Sequence, residues 1–261
     1  MFKGLKEYLD EQTFRINVPA FIESDPVRFP RRYSLLQDIE IAAFLAATIA
    51  WGNRVSILKS AESMFSKMGK SPYDFVMSEG YKTLGTSNIH RTFFETDMVY
   101  LLRGFRSILQ NFESIEAFLI SKQPLNSVWD IAGVLSSEIL KANHGKSNSK
   151  CFPVNYEKSA LKRINLALRW LVRNDGIVDI GAWTFLNPSQ LFIPLDVHVG
   201  NTARELGILN RKSNDRTAVE QLTANLRVFC PEDPVKYDFA LFGIGMEKAK
   251  VRKKMIFSVK N

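Results

Sequence analysis

Residues 159–209 read SALKRINLALRWLVRNDGIVDIGAWTFLNPSQLFIPLDVHVGNTARELGIL. Within INLALRWLVRN, apolar side chains recur at three and four residues, the period of one helix face. The next stretch, DGIVDIGAWTFLNPSQLFI, has no such period and carries Asn-Asp-Gly and Asn-Pro breakers, so it predicts an irregular connection. Pro194-Leu195-Asp196 then opens a second helical run, VHVGNTARELGIL. Downstream, VEQLTANLRVFCPEDPVKYDFALFGIG holds two more helices. The same period marks residues 36–50, 55–67, 97–111 and 127–141. Strict apolar/polar alternation is rare and short, so the chain predicts an all-α fold without a sheet.

The 261 residues are 46% hydrophobic and 24% charged, enough for one large core shared by two lobes. The polar stretch ANHGKSNSK, residues 142–150, predicts an exposed loop between those lobes. A single domain over 1–261 is expected, with one lobe at 30–145 and the other made of 1–29 plus 146–261. The most apolar run, IEIAAFLAATIAW, is too short to span a bilayer and contains Glu40, so it reads as a core helix. FKGLKEYLD near the start is charged and amphipathic, unlike a signal peptide, and a cytoplasmic, membrane-free protein is expected. Cys151 and Cys230 stand apart from each other and from any His, which predicts neither a disulfide framework nor a metal site, and no cofactor is expected. A net charge of +8 suits a polyanionic partner or, more plainly, a well-solvated surface. The basic tail EKAKVRKKMIFSVKN admits the same two readings.

Asp196 is the residue with the clearest chemical meaning. It stands two residues after a proline and just before a helical run, where a carboxylate caps unpaired backbone N–H groups. Those dipoles favour its charged form, and a fixed carboxylate is suited to stabilising a developing cation. The cap and the catalyst can therefore be one residue.

PLDVHV followed by a helix, and further on VKYDFALFGIG, resembles the C-terminal half of the helix-hairpin-helix DNA glycosylase superfamily. IEIAAFLAATIAWGNRVSILKSAESMF is similar to that superfamily's early apolar helix, which ends in a polar motif near DNA. The patterns Ala50-Trp51-Gly52-Asn53-Arg54, Lys162-Arg163-Ile164-Asn165, Leu168-Arg169-Trp170-Leu171-Val172-Arg173 and Pro194 to Val199 resemble most an uncharacterised bacterial branch related to 8-oxoguanine DNA glycosylases.

The resemblance implies a two-lobed helical fold with a cleft, and Asp196 as the catalytic carboxylate. It implies a lysine nucleophile, Lys162, with Lys158 as the alternative, the latter in a Lys-Ser-Ala element similar to the superfamily's Lys-Thr-Ala. Four residues apart, the two lysines would share a face if they lay on one helix, each lowering the other's pKa. It implies Trp51, Asn53, Arg54, Arg163 and His198 as DNA- or base-contacting residues, with Lys236 and Asp238 as further contacts. Trp170 and Trp183 are base-pocket candidates or, for Trp170 at helical spacing, core.

The implied activity is base-excision repair of double-stranded DNA, removing an oxidised purine with AP-lyase action, by a monomer associated with the nucleoid. Two features depart from the superfamily. The hairpin segment Phe152-Pro153-Val154-Asn155-Tyr156 lacks the glycines that let backbone N–H groups approach a phosphate, so the hairpin reads as degenerate. The iron–sulfur cysteines of endonuclease III are also absent. The first departure leaves open a non-catalytic DNA-binding protein on the same scaffold, or a helical adaptor.

Overall fold

The computed structural model describes residues 4–153 and 155–258. It is predominantly helical. The helices are α1 (Leu5–Ile16), α2 (Pro19–Glu23), α3 (Leu36–Thr48), α4 (Arg54–Ser66), α5 (Pro72–Met77), α6 (Glu95–Leu109), α7 (Ile115–Ile120), α8 (Val128–Ala142), α9 (Lys162–Val172), α10 (Val197–Glu205), α11 (Arg216–Phe229) and α12 (Asp238–Ser258). Caps fix many of their starts. Asn53, Ser71, Ser114, Ser127, Asp196 and Asp215 each accept the N3 backbone N–H of the helix that follows.

α3 is the core helix, with every residue from Asp38 to Thr48 buried. It packs on α9, on α5, and on 3-10 turns at Pro26–Arg28 and Pro30–Arg32. Glu40, fully buried within it, accepts the N–H groups of Ile115 and Glu116 at the start of α7 and the indole N–H of Trp183, each at 2.8 Å. Burial pushes the Glu40 carboxyl up to about 7 against the pull of those donors. α6 packs on α8, where Gly104 lets Ile139 approach closely. The chain's first and last helices meet, because α1 and α10 both pack on α12.

The absence of sheet needs a small correction. β1 (Asn88–His90) and β2 (Phe93–Phe94) form a two-stranded antiparallel hairpin too short for its alternation to stand out. The 142–150 stretch is largely exposed, as its composition predicts, and is tied down at several points. Asn143 donates to the carbonyl of Tyr100, while Asn148 and Lys150 both bond the Asp97 carboxylate. Cys151 and Cys230 are both free thiols. Among the described residues no helix is long and apolar enough to cross a membrane. The side chains of residues 250–261, which carry most of the basic tail, lie outside the described residues.

Candidate active site

A cavity of about 310 Å³ opens where the end of α3 faces the starts of α9, α10 and α12. Its volume sits at the lower end of the ~300–1,000 Å³ typical of small-ligand pockets. The walls are apolar at Ile57, Leu166, Phe239 and Phe242, and charged at Lys162, Asp196, Asp238, Arg169, Arg54 and Asp25.

Asp196 is the N-cap of α10, and its Oδ1 accepts the Val199 N–H at 2.8 Å. The approach to it is fixed. Ile193 N–H donates to the Thr223 hydroxyl on α11 at 3.1 Å, Leu195 is buried, and Asn214 Nδ2 holds the Asp196 carbonyl at 3.0 Å. The helix start therefore presents a carboxylate whose backbone cannot drift.

Lys162 is the first residue of α9 and follows Leu161, a buried residue with φ of 48°. That left-handed turn, unfavourable for a leucine, directs the lysine inward. Its Nζ donates to the carbonyl of Ala50, just past α3, at 2.8 Å. Burial pushes the Lys162 ammonium below the usual lysine range. The carboxylates of Asp196, Asp238 and Asp25, in that order, pull it back, and Arg163 adds to the lowering.

Asp238, the first residue of α12, faces the same cavity and accepts a hydrogen bond from Arg169. Burial raises its carboxyl to about 7, with Asp196 and Asp179 adding to the rise and Arg169 and Lys162 opposing it. Arg169 lies over the Phe239 ring at 4.3 Å and also bonds Asp179 at 3.2 Å. Asp179 pairs in turn with Arg173 at 2.9 Å, and Arg173 with Asp233 at 2.7 Å. A buried ionic chain thus links α9 to the turn that starts α12.

Of the residues singled out in the sequence, Asp196, Lys162, Trp51, Arg54, His198 and Asp238 all line this cavity. Arg54 is engaged by Asp25 and sandwiched by Phe21 at 4.8 Å and Phe242 at 5.0 Å. His198 stands edge-on to Phe242. The remainder lie elsewhere. Asn53 caps α4 through Ser56 N–H. Arg163 donates to the carbonyl of Lys150 and lines a second cavity with Lys158.

Lys158 is exposed at the end of the 3-10 turn Tyr156–Lys158, and Leu161 breaks the backbone before α9 begins. It therefore shares no helical face with Lys162, because the two do not lie on one helix. The turn is pinned instead, because Trp129 Nε1 donates to the Ser159 carbonyl at 2.9 Å. Of the hairpin segment, Val154 lies outside the described residues. Trp170 and Trp183 are core residues, and Lys236 pairs with Asp10 away from the cavity. Among the described residues no group of three His, Cys, Asp or Glu side chains is arranged to hold a metal.

Arg169, Asp25 and the aromatic wall were not anticipated. For Arg169 a signal exists, since Lys162, Leu166 and Arg169 recur at four and three residues on one face of α9. The pattern that defines the family described as Protein of unknown function (DUF2400) matches residues 25–247. The chain belongs to this family. No curated protein and no solved structure matches it. In this DUF2400 member the matched span takes in every residue that lines the cavity except Phe21.

Proposed function

We propose that the protein is a base-excision DNA glycosylase that removes an oxidised purine from duplex DNA and nicks the product strand. The observation that carries this reading is one cavity in which a half-buried lysine, Lys162, with its ammonium pushed below the usual range by desolvation, shares space with the helix-capping carboxylate of Asp196. The superfamily resemblance of PLDVHV adds to it, and so does the net charge of +8. On this reading residues 30–145 and residues 1–29 with 146–261 are the two lobes, and the cavity is the cleft between them. The protein would act as a monomer at the nucleoid.

An extruded nucleotide enters the cavity, at a cost of a few kcal/mol that is smallest for a damaged or mispaired base. The neutral Lys162 amine attacks C1′ as the C1′–base bond breaks, and the bonding pair leaves with the base, which takes up a proton. Asp196 stabilises the cationic sugar and accepts the proton lost by the amine. Ring opening gives a Schiff base. Loss of a C2′ proton then expels the 3′ phosphate and breaks the strand.

The test is a panel of lesion-bearing duplexes assayed for base release and for covalent trapping with borohydride, which reduces the imine. Trapping by wild type that is abolished in Lys162→Ala is the expected result. Base release without trapping makes Asp196 the activator of water and removes the lyase step. Salt-sensitive binding without release over the whole panel overturns catalysis in favour of a DNA-binding scaffold, a reading in which Lys162 serves only to hold the Ala50 carbonyl.

A further inference from the structure

The β1–β2 hairpin is docked against the loop that carries Trp51 at the cavity wall. His90 is buried between them. Its Nε2 donates to the Trp51 carbonyl at 2.8 Å, which leaves Nδ1 to accept the Ser60 hydroxyl at 3.0 Å. Phe93 is buried on the other strand, and Phe94 N–H donates to Asp97 at 2.8 Å in the first turn of α6. The hairpin is therefore a rigid post between α4 and α6.

At its tip Arg91 has φ of 53°, a conformation few non-glycine residues adopt, and Asn88 Nδ2 holds its carbonyl at 2.5 Å. This turn lays the guanidinium over the Trp51 ring, 4.8 Å from its centroid. Gly52, itself a cavity-wall residue with φ of 101°, gives it room, because a Cβ there would stand 2.6 Å from Arg91 Nη1. The left-handed backbone favours glycine at position 52, and any larger residue would displace the guanidinium from its place. Among the described residues Arg91 enters no ion pair, whereas Arg54, on the same wall, is neutralised by Asp25. A cation is thus oriented, stacked and left without a counter-charge at the edge of the cavity.

We infer that Arg91 is a phosphodiester ligand, gripping the backbone phosphate that flanks the nucleotide entering the cavity. Stacking on an indole leaves the N–H edges of a guanidinium free, and their fork matches two phosphate oxygens. The inference rests on the DNA reading proposed above.

Binding of a duplex bearing a tetrahydrofuran abasic analogue, titrated at several salt concentrations, tests it. The proteins are wild type, Arg91→Ala and Arg91→Lys. Loss of one phosphate contact lowers the slope of log K against log salt by about 0.9. Arg91→Ala should show that decrement with a several-fold weaker affinity at low salt, and Arg91→Lys should recover most of both.

Trp51 supplies a second readout, because Trp129, Trp170 and Trp183 are 2%, 0% and 2% exposed and acrylamide quenching reports mainly on Trp51. DNA should protect the wild-type indole more than that of Arg91→Ala. A wild-type slope and wild-type protection in Arg91→Ala overturn the inference while leaving the DNA reading intact. Failure of wild type to bind the duplex at low salt overturns both. Arg91 is exposed, so unchanged melting temperatures serve as the folding control.

Discussion

Lys162 and Asp238 are displaced in opposite directions by the same burial, the amine downward and the carboxyl upward to about 7. Each therefore changes charge closer to neutrality than it would in water. On the glycosylase reading proposed above, the neutral form of Lys162 is the nucleophile, so the rate of Schiff-base formation should rise with pH along a limb lying below 10.5, the ordinary lysine value. If Asp238 supplies the proton that the departing base takes up, the rate should fall as pH climbs through about 7, and the two limbs make a bell. Single-turnover trapping measured from pH 5 to 10 checks both limbs. Asp238→Asn should remove the falling limb and keep the rising one. A falling limb that persists in Asp238→Asn excludes Asp238 as the acid. The role of Arg169 follows, since it holds the Asp238 carboxylate from a side chain that is itself 3% exposed and cannot move freely.

At the level of elements, Glu40 decides how α3 engages α7. Its two oxygens satisfy three donors from two distant segments, the α7 start and Trp183. Glu40→Gln keeps the volume but turns an amide NH₂ toward N–H groups, which should cost about 1–3 kcal/mol. The pH dependence has a definite sign. A carboxyl raised from 4.5 to about 7 binds its proton more tightly in the folded chain, so its stabilising share is complete below 4.5 and is lost as pH rises through 7. Denaturant melts at pH 5 and pH 8 should show the gap between wild type and Glu40→Gln widest at pH 5. A gap that widens toward pH 8 would refute the raised value.

The long helices were readable in the sequence because their apolar period runs for three turns or more, as in α3, α6 and α9. α5 and α7 have six residues each, too few for a period to emerge, although Ser71-Pro72 and Ser114 mark their starts. In the candidate site, Asp196 was legible as a helix cap, a local event, whereas Lys162 was reached only through the superfamily resemblance. The link from Arg169 to Asp238 joins residues far apart in the chain, and such pairing leaves no local mark. The spacing of four between Lys158 and Lys162 implies a shared face only if the helix is continuous, and Leu161 breaks it.

For the whole molecule, the question is where the excess of 35 Lys and Arg over 27 Asp and Glu is felt. Several carboxylates are turned inward, among them Glu40, Asp97, Asp179 and Asp238, and the last two are matched there by Arg169 and Arg173. Beyond a Debye length of about 8–10 Å a polyanion senses little of such an interior. It meets exposed cations instead, and Lys158 is one that enters no ion pair among the described residues. Lys158 lines the second cavity with Lys162, Arg163 and Asn214, and does not line the one that holds Asp196 and Trp51. On the DNA reading proposed above, that position suits a backbone contact rather than attack at C1′. Lys158→Ala should therefore weaken duplex binding at low salt and reduce the salt slope by about 0.9, while leaving single-turnover trapping at saturating DNA unchanged. Lys162→Ala should do the reverse, abolishing trapping with little change in slope, because desolvation pushes its amine toward the neutral form, which pairs with no phosphate. Were Lys158→Ala to lose trapping at saturation and Lys162→Ala to keep it, the nucleophile would be the exposed lysine and the half-buried one a structural tie.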